Sequence, residues 1–328
     1  MKQYANQQPK GFVNHAGGQV GKFFTEHLIK TGKHVVTAIT RSGTSSTFAD
    51  PIKTAHVDYD SHESLVTALK GQDFLIITLS LAAAPETHSK LAKAASKAGV
   101  PYIMPNAYSV NFYGSESLRK DIPIGNTVME RISEVQELGM TCIALMVGFW
   151  YEFSLSVGAS TFGFDLDNRT ATYYDDGQKR INVSSWEQCG RAVAALLDLK
   201  RLPDNESDKS VTVSHFQDRP LFVSSSTVNQ REILESLKRI THTGDADWKV
   251  TYQQANERYK EGMDELAAGN QMGFYKAMYA RVFYAAGDAD FETDNELLGL
   301  VEEDIDELTR KFIKTANPQR MSGRVLLD

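Results

Sequence analysis

Two glycines three residues apart, Gly18 and Gly21, sit in the stretch His15-Ala16-Gly17-Gly18-Gln19-Val20-Gly21, between a short apolar run and an amphipathic one. Glycines at this spacing in a strand-to-helix turn let backbone approach a pyrophosphate and let the helix pack on its strand. The usual turn carries a third glycine three places earlier, and His15 stands there instead. Two readings of the imidazole stay open. It crowds the phosphates, or it adds a charge-assisted bond or acid–base chemistry. Roughly twenty residues past the turn, a site that reads ribose hydroxyls carries an acid. This chain has Arg41 followed by Ser42, the pair expected to read a 2′-phosphate. The expected cofactor is therefore NADPH, held by His15, Ala16, Gly17, Gly18, Gln19, Val20 and Gly21, with Arg41, Ser42 and Asp58.

Thr78-Leu79-Ser80 and Pro105-Asn106-Ala107-Tyr108 each follow an apolar run, at the carboxyl ends of strands where open α/β sheets hold ligands. Thr78, Leu79, Ser80, Pro105 and Asn106 are assigned to the cofactor. Tyr108, or a water on Asn106, is assigned the proton that a reduction needs, with His15 as a further catalytic candidate. Tyr113, Phe149, Trp150 and Tyr151 are assigned to the substrate, the last three as an apolar wall for an aromatic ligand. Plainer roles compete: Asn106 as a turn residue, Tyr108 as a lid ring, the other rings as packing between lobes. Glu152, beside aromatic residues, is either a carboxyl of raised pKa or a solvent-facing one. The 8 histidines show no metal spacing, so no metal is expected. The 2 cysteines form neither a disulfide framework nor a zinc site, and Cys142 reads as a buried small hydrophobe. Glu302-Glu303-Asp304 reads as a solvated helix start.

The elements that must position these groups alternate along residues 11–150. Strands are predicted at 35–39, 54–57, 74–77, 101–104 and 142–147. Helices are predicted up to Gly32, from Asp60 or Ser61 to 69, from Pro85 to Gly99, and at 127–138. This alternation predicts a parallel, doubly wound, Rossmann-like sheet. Residues 170–174 and 180–183, around Asp175-Asp176-Gly177, read as a β-hairpin. Ser184 or Ser185 caps a helix over 186–198, and 211–213 and 221–223 read as short strands. From Gln230 the pattern is helical and rich in Tyr and Phe. The expected division is an NAD(P)-binding domain over 1–150, with 184–225 returning to its sheet, and a smaller, mostly helical substrate lobe of 151–183 and 226–328.

At 328 residues and 41% hydrophobic, the chain has room for one large or two fused domains. A net charge of −7 excludes a broad nucleic-acid surface. No stretch approaches the roughly 20 apolar residues of a membrane span, and the first ten residues lack a secretory core. A cytoplasmic protein, monomer or homodimer, acting on a small molecule is expected.

Several phrases resemble a known family: the turn at 15–21, Thr31-Gly32-Lys33-His34-Val35-Val36-Thr37-Ala38-Ile39-Thr40-Arg41, Val57-Asp58-Tyr59-Asp60, Gly148-Phe149-Trp150-Tyr151-Glu152-Phe153-Ser154-Leu155, Gln188-Cys189-Gly190-Arg191-Ala192-Val193 and Asp294-Asn295-Glu296-Leu297-Leu298-Gly299-Leu300. They are similar to the fungal NmrA-like and isoflavone-reductase-like atypical short-chain dehydrogenases, closest to the CipA-like branch, over nearly the whole chain. The resemblance implies an NADPH-dependent reductase of a conjugated or aromatic small molecule in fungal secondary metabolism. The family also contains NADP-binding regulators without turnover, and a non-redox enzyme on the same scaffold (isomerase, lyase or cyclase) is a further alternative. The isoflavone and lignan reductases carry a catalytic lysine on the helix before the sixth strand. Here that stretch is Gly125-Asn126-Thr127-Val128-Met129-Glu130-Arg131-Ile132-Ser133, without lysine; Met129 or Glu130 falls near the place and Lys120 lies too early. The family's proton donor does not carry over.

Overall fold

In the computed structural model, which describes residues 11–14, 18–43, 48 and 50–315, short apolar strands alternate with helices bearing one apolar face. The first half runs β1 (Gly11–Asn14), α1 (Gln19–Lys30), β2 (Thr37–Arg41), β3 (Lys53–Val57), α2 (His62–Leu69), β4 (Phe74–Ile77), α3 (Thr87–Ala98), β5 (Tyr102–Met104), α4 (Glu116–Asp121), α5 (Gly125–Glu137) and β6 (Thr141–Cys142). Val20, Phe24 and Leu28 recur every fourth residue and form the buried face of α1, which ends at Gly32 with φ +69°. Along β4 the side chains alternate: Phe74 and Ile76 face the core under α1, while Leu75 and Ile77 face the core under α2, α3 and α5. Burying each such side chain contributes about 1.5–3 kcal/mol.

All pairs in this sheet are parallel, in the order β3-β2-β1-β4-β5-β6. The order reverses between β1 and β4, the place beyond whose carboxyl ends open α/β sheets form their ligand crevice.

The expected strand at 142–147 divides into β6 and a following β7 (Ala144–Met146). Asp218 explains the break: its Oδ1 accepts the Cys142 N–H at 3.0 Å and its own N–H reaches the Cys142 carbonyl at 2.9 Å. The chain then continues through β8 (Phe149–Trp150), α6 (Tyr151–Val157), β9 (Phe164–Asp165), β10 (Thr170–Tyr174), β11 (Ile181–Ser184) and α7 (Trp186–Asp198). It closes with β12 (Pro220–Phe222), β13 (Ser226–Val228), α8 (Gln230–Thr241), β14 (Lys249–Gln253), α9 (Ala255–Ala267), α10 (Met272–Val282) and α11 (Ile305–Thr315). β7 pairs in parallel with β12.

The expected hairpin is not formed. The turn is there, with Asp175 at φ +52° and Gly177 at φ +71°, but β10 pairs with β9 and β14 while β11 pairs with β8 and β13. The Asp175 N–H goes to the Gln253 carbonyl, so the turn hands the chain from one small sheet to another. The strand expected at 211–213 is not formed, Val213 instead opening a 3₁₀ turn that runs to Phe216, and β2 begins at Thr37, two residues later than predicted.

Ser185 caps α7 by accepting the Gln188 N–H at 2.9 Å, a bond of about 1 kcal/mol. Helices α1 and α7 meet at Gly190, where a Cβ would lie 2.7 Å from the Phe23 carbonyl oxygen. No helix among the described residues is long and apolar enough to cross a membrane.

Candidate active site

The crevice is built from the segments that leave the sheet. His15, Ala16 and Gly17 lie outside the described residues. Helix α1 starts after Gly18, an extended N-cap at φ −70° and ψ 169° that has no side chain to cap the end, and no acid stands in its first turn. That contrasts with α2, where Ser61 caps, and with α7. Uncapped N–H groups and the positive end of the helix dipole fit a phosphate, with Gly18 and Gln19 exposed and Val20 and Gly21 packed beneath.

Arg41 ends β2 in an exposed position, and its charge, with Lys90, holds the Asp60 carboxyl below its usual range; the Lys90 hydrogen bond is the larger cause. The neighbouring Ser42 N–H is bound to the Val57 carbonyl at 2.7 Å. Asp58 closes its own turn by accepting the Asp60 N–H at 2.9 Å. A guanidinium at the tip of the second strand and an uncapped helix end beside the first are the donor set that a phosphorylated dinucleotide requires.

After β4, Thr78 is buried, Leu79 half-buried and Ser80 exposed. The Asn106 carboxamide pairs with both main-chain groups of Leu79, accepting its N–H at 3.2 Å and donating to its carbonyl at 3.1 Å. Pro105 is buried, and the Asn106 carbonyl accepts from Arg131 at 2.9 Å.

Tyr108 is placed differently from expectation. Its hydroxyl donates to the Ile77 carbonyl at 3.0 Å, and burial pushes the phenol well above 10. Its ring packs between Phe24 and Trp150, at 5.5 and 6.4 Å. A phenol so bound and so raised is a weaker acid than a free one.

The aromatic wall is also redrawn. Phe149 packs against Tyr279 at 4.1 Å, and Tyr151 is fully buried with its hydroxyl 2.7 Å from Thr309 Oγ1, so both belong to the core. Trp150 remains part-exposed, and Phe153, which sequence reasoning passed over, completes the surface edge-on to it at 6.4 Å. Tyr113 is 40% exposed, with its N–H on Asn111 Oδ1 at 3.1 Å.

Beside Trp150 lie two carboxyls with opposite fates. Burial pushes Glu152 up to about 7, against the N–H of Trp186 that its Oε2 accepts at 3.4 Å; nearby Glu303 raises it further and Lys311 lowers it. Of its two sequence readings, the raised carboxyl fits. Glu303 is lowered in spite of burial, by bonds from Ser185, Ser225 and Arg191, the last at 2.9 Å. It is therefore no solvated helix start, although Asp304 does cap α11 by accepting the Asp306 N–H at 2.9 Å. Sequence gave no signal for Glu303, whose partners lie about 80 to 120 residues away. Trp186, stacked on Phe23 at 6.0 Å, has a buried indole N–H without a partner. Both cysteines are buried and unlinked, with Cys142 pushed up to about 12 by burial. Among the described residues no group of three His, Cys, Asp or Glu converges as a metal site.

Residues 16–123 match the NAD(P)H-binding family model. Oxidoreductase aprR of Aspergillus flavus is 28% identical over 93% of this chain and 99% of its own length. Among solved structures, AtPrR2 with NADP+ and (+)pinoresinol shares 15% identity at a TM-score of 0.71, covering 93% of this chain and 99% of that one. Isoflavone reductase shares 16% identity at a TM-score of 0.69, over 93% and 99%. Residues 16–123 thus match an NAD(P)H-binding family, the chain resembles a fungal oxidoreductase along its length, and it shares the fold of isoflavone reductase.

Proposed function

We propose that the chain is an NADPH-dependent reductase of a conjugated or aromatic small molecule, working in fungal secondary metabolism. The observation that carries this reading is the crevice at the β1/β4 reversal, flanked by the uncapped start of α1 and by Arg41. Arg41 and Ser42 would take the 2′-phosphate, Gly18 to Gly21 the pyrophosphate, and Thr78 to Ser80 with Pro105 and Asn106 would border the nicotinamide. NADPH supplies a hydride when bound. Trp150 and Phe153 would offer a flat apolar face to the substrate.

Glu152 replaces Tyr108 as the group that holds the proton. Near pH 7 it is half protonated while Glu303 beside it stays ionised, and a pair driven apart in this way separates acid from base. The pinoresinol-bound neighbour supports a phenolic aromatic substrate by fold likeness.

Calorimetric titration with NADPH, NADP+ and NADH tests the cofactor, and NADPH oxidation with (+)-pinoresinol, an isoflavone and a naphthoquinone tests turnover. NADPH favoured over NADH, with oxidation by one of the acceptors, is the expected result. Tight binding without oxidation would replace the reading with a cofactor-sensing regulator. No binding would point to a repurposed, non-redox scaffold.

A further inference from the structure

The stretch that holds a lysine in the isoflavone and lignan reductases contains a single cation here, Arg131, in the second turn of α5. Its guanidinium is directed at main chain. Nη1 donates to the Asn106 carbonyl at 2.9 Å, a charge-assisted bond in a part-buried setting. The Asn106 side chain in turn takes both main-chain groups of Leu79, a two-bond pairing of the kind one strand makes with its neighbour. Helix α5, the loop after β5 and the loop after β4 thus form one hydrogen-bonded chain. The loop after β4 borders the crevice where the strand order reverses.

His88, in the first turn of α3 beside Arg131, adds no competing charge. Burial, and then Arg131 itself, push its imidazole down to about 4, against Glu134, whose Oε2 lies 3.5 Å from Nδ1. Glu134 is engaged by the Ser89 hydroxyl and lies 3.9 Å from Lys93.

We propose that Arg131, acting through Asn106, is a positioning residue that fixes the loop after β4 against the nicotinamide end of the cofactor. The inference rests on the cofactor lying in this crevice and not on the identity of the substrate. Arg41 and the start of α1 grip the other end of the dinucleotide, so the two ends respond separately to substitution.

The test uses NADPH itself as the probe, with affinity from calorimetry and the emission of the bound nicotinamide as a report on how firmly the ring is held. Arg131→Met should keep the NADPH Kd within about threefold, the scale of one neutral hydrogen bond, because the phosphate end is untouched. The same variant should lose most of the emission gained on binding. Arg131→Lys, which keeps a cation able to reach the carbonyl, should restore it. Asn106→Ala should lose the same emission, and the double variant should lose no more of it than either, since both cut one chain of bonds. Unchanged emission in Arg131→Met overturns the proposal. So does a wild type whose bound NADPH emits no more than free NADPH, or a parallel loss of NADPH affinity, emission and unfolding midpoint in every variant, lysine included. A protein that shows the expected split yet reduces nothing refutes the reductase reading and leaves this one standing.

Discussion

Replacing Glu152 with glutamine tests the electrostatics of the site without any substrate. The carboxyl is raised from 4.5 to about 7, chiefly by burial, with Glu303 and Lys311 acting on it from α11 and its approach and Cys189 beside it on α7. A carboxyl raised on folding contributes fully below its unfolded pKa and loses that contribution as pH climbs through the folded value. The wild type should therefore lose stability between pH 4.5 and about 7 and change little from this group above that. The gap between 4.5 and about 7, at about 1.4 kcal/mol per pH unit, comes to about 3 kcal/mol. Glutamine resembles the protonated carboxyl and does not titrate. Urea unfolding of both proteins at pH 4.5 and pH 8 should show Glu152→Gln gaining up to about 3 kcal/mol over the wild type at the higher pH, relative to the lower. A stability difference that is the same at both pH values would refute the raised carboxyl, and with it the role given to Glu152. In the reductase assay, wild-type turnover should fall as pH rises through about 7. The variant should lose that limb and about 10²–10⁴ in rate, the usual share of a general acid.

Arg41→Ala should cost NADPH, but not NADH, about 1.5–3 kcal/mol of binding, read as the ratio of the two Kd values by calorimetry. His88, lowered to about 4 in the fold, stabilises the protein above about 6.5 and loses that contribution as pH falls towards 4. His88→Gln should therefore flatten the acid limb of the unfolding midpoint measured between pH 4 and pH 7. Gly190→Ala should destabilise by about 1–3 kcal/mol in thermal melts, because its Cβ would meet the Phe23 carbonyl at 2.7 Å and push α1 off α7.

Local rules were enough where the cause is local. The helix Trp186–Asp198 and its Ser185 cap, the strand Phe74–Ile77, and the stop at Gly99 in the left-handed region can all be read from neighbours within four residues. The turn Asp175-Asp176-Gly177 was legible too, but its strands take partners as remote as Lys249–Gln253 and Phe149–Trp150, which no local pattern encodes. The same divide runs through the site. Arg41, Gly18 and the loops at Thr78 and Asn106 follow from topology. The apolar wall expected of residues 149–151 is redrawn because the strand turns into α6 at Tyr151, so that Tyr151 is buried in the core and Phe153 joins Trp150. Arg131 carries no motif of its own, since its role depends on a carbonyl 25 residues away.

The way the chain crosses between its lobes bears on how this protein can be cut and recombined. Helix α7, from the second half, covers the apolar stripe Val20, Phe24 and Leu28 of α1, and β12 covers the edge of β7. A fragment ending at Trp150 would carry every residue matched by the NAD(P)H-binding family, yet it would bare that stripe and an unpaired strand edge. Such surfaces drive association rather than autonomous folding. Residues 11–150 are therefore not a portable cassette, and exchanging the remainder of the chain between relatives would have to carry the crossings from Ser184 to Phe222 along.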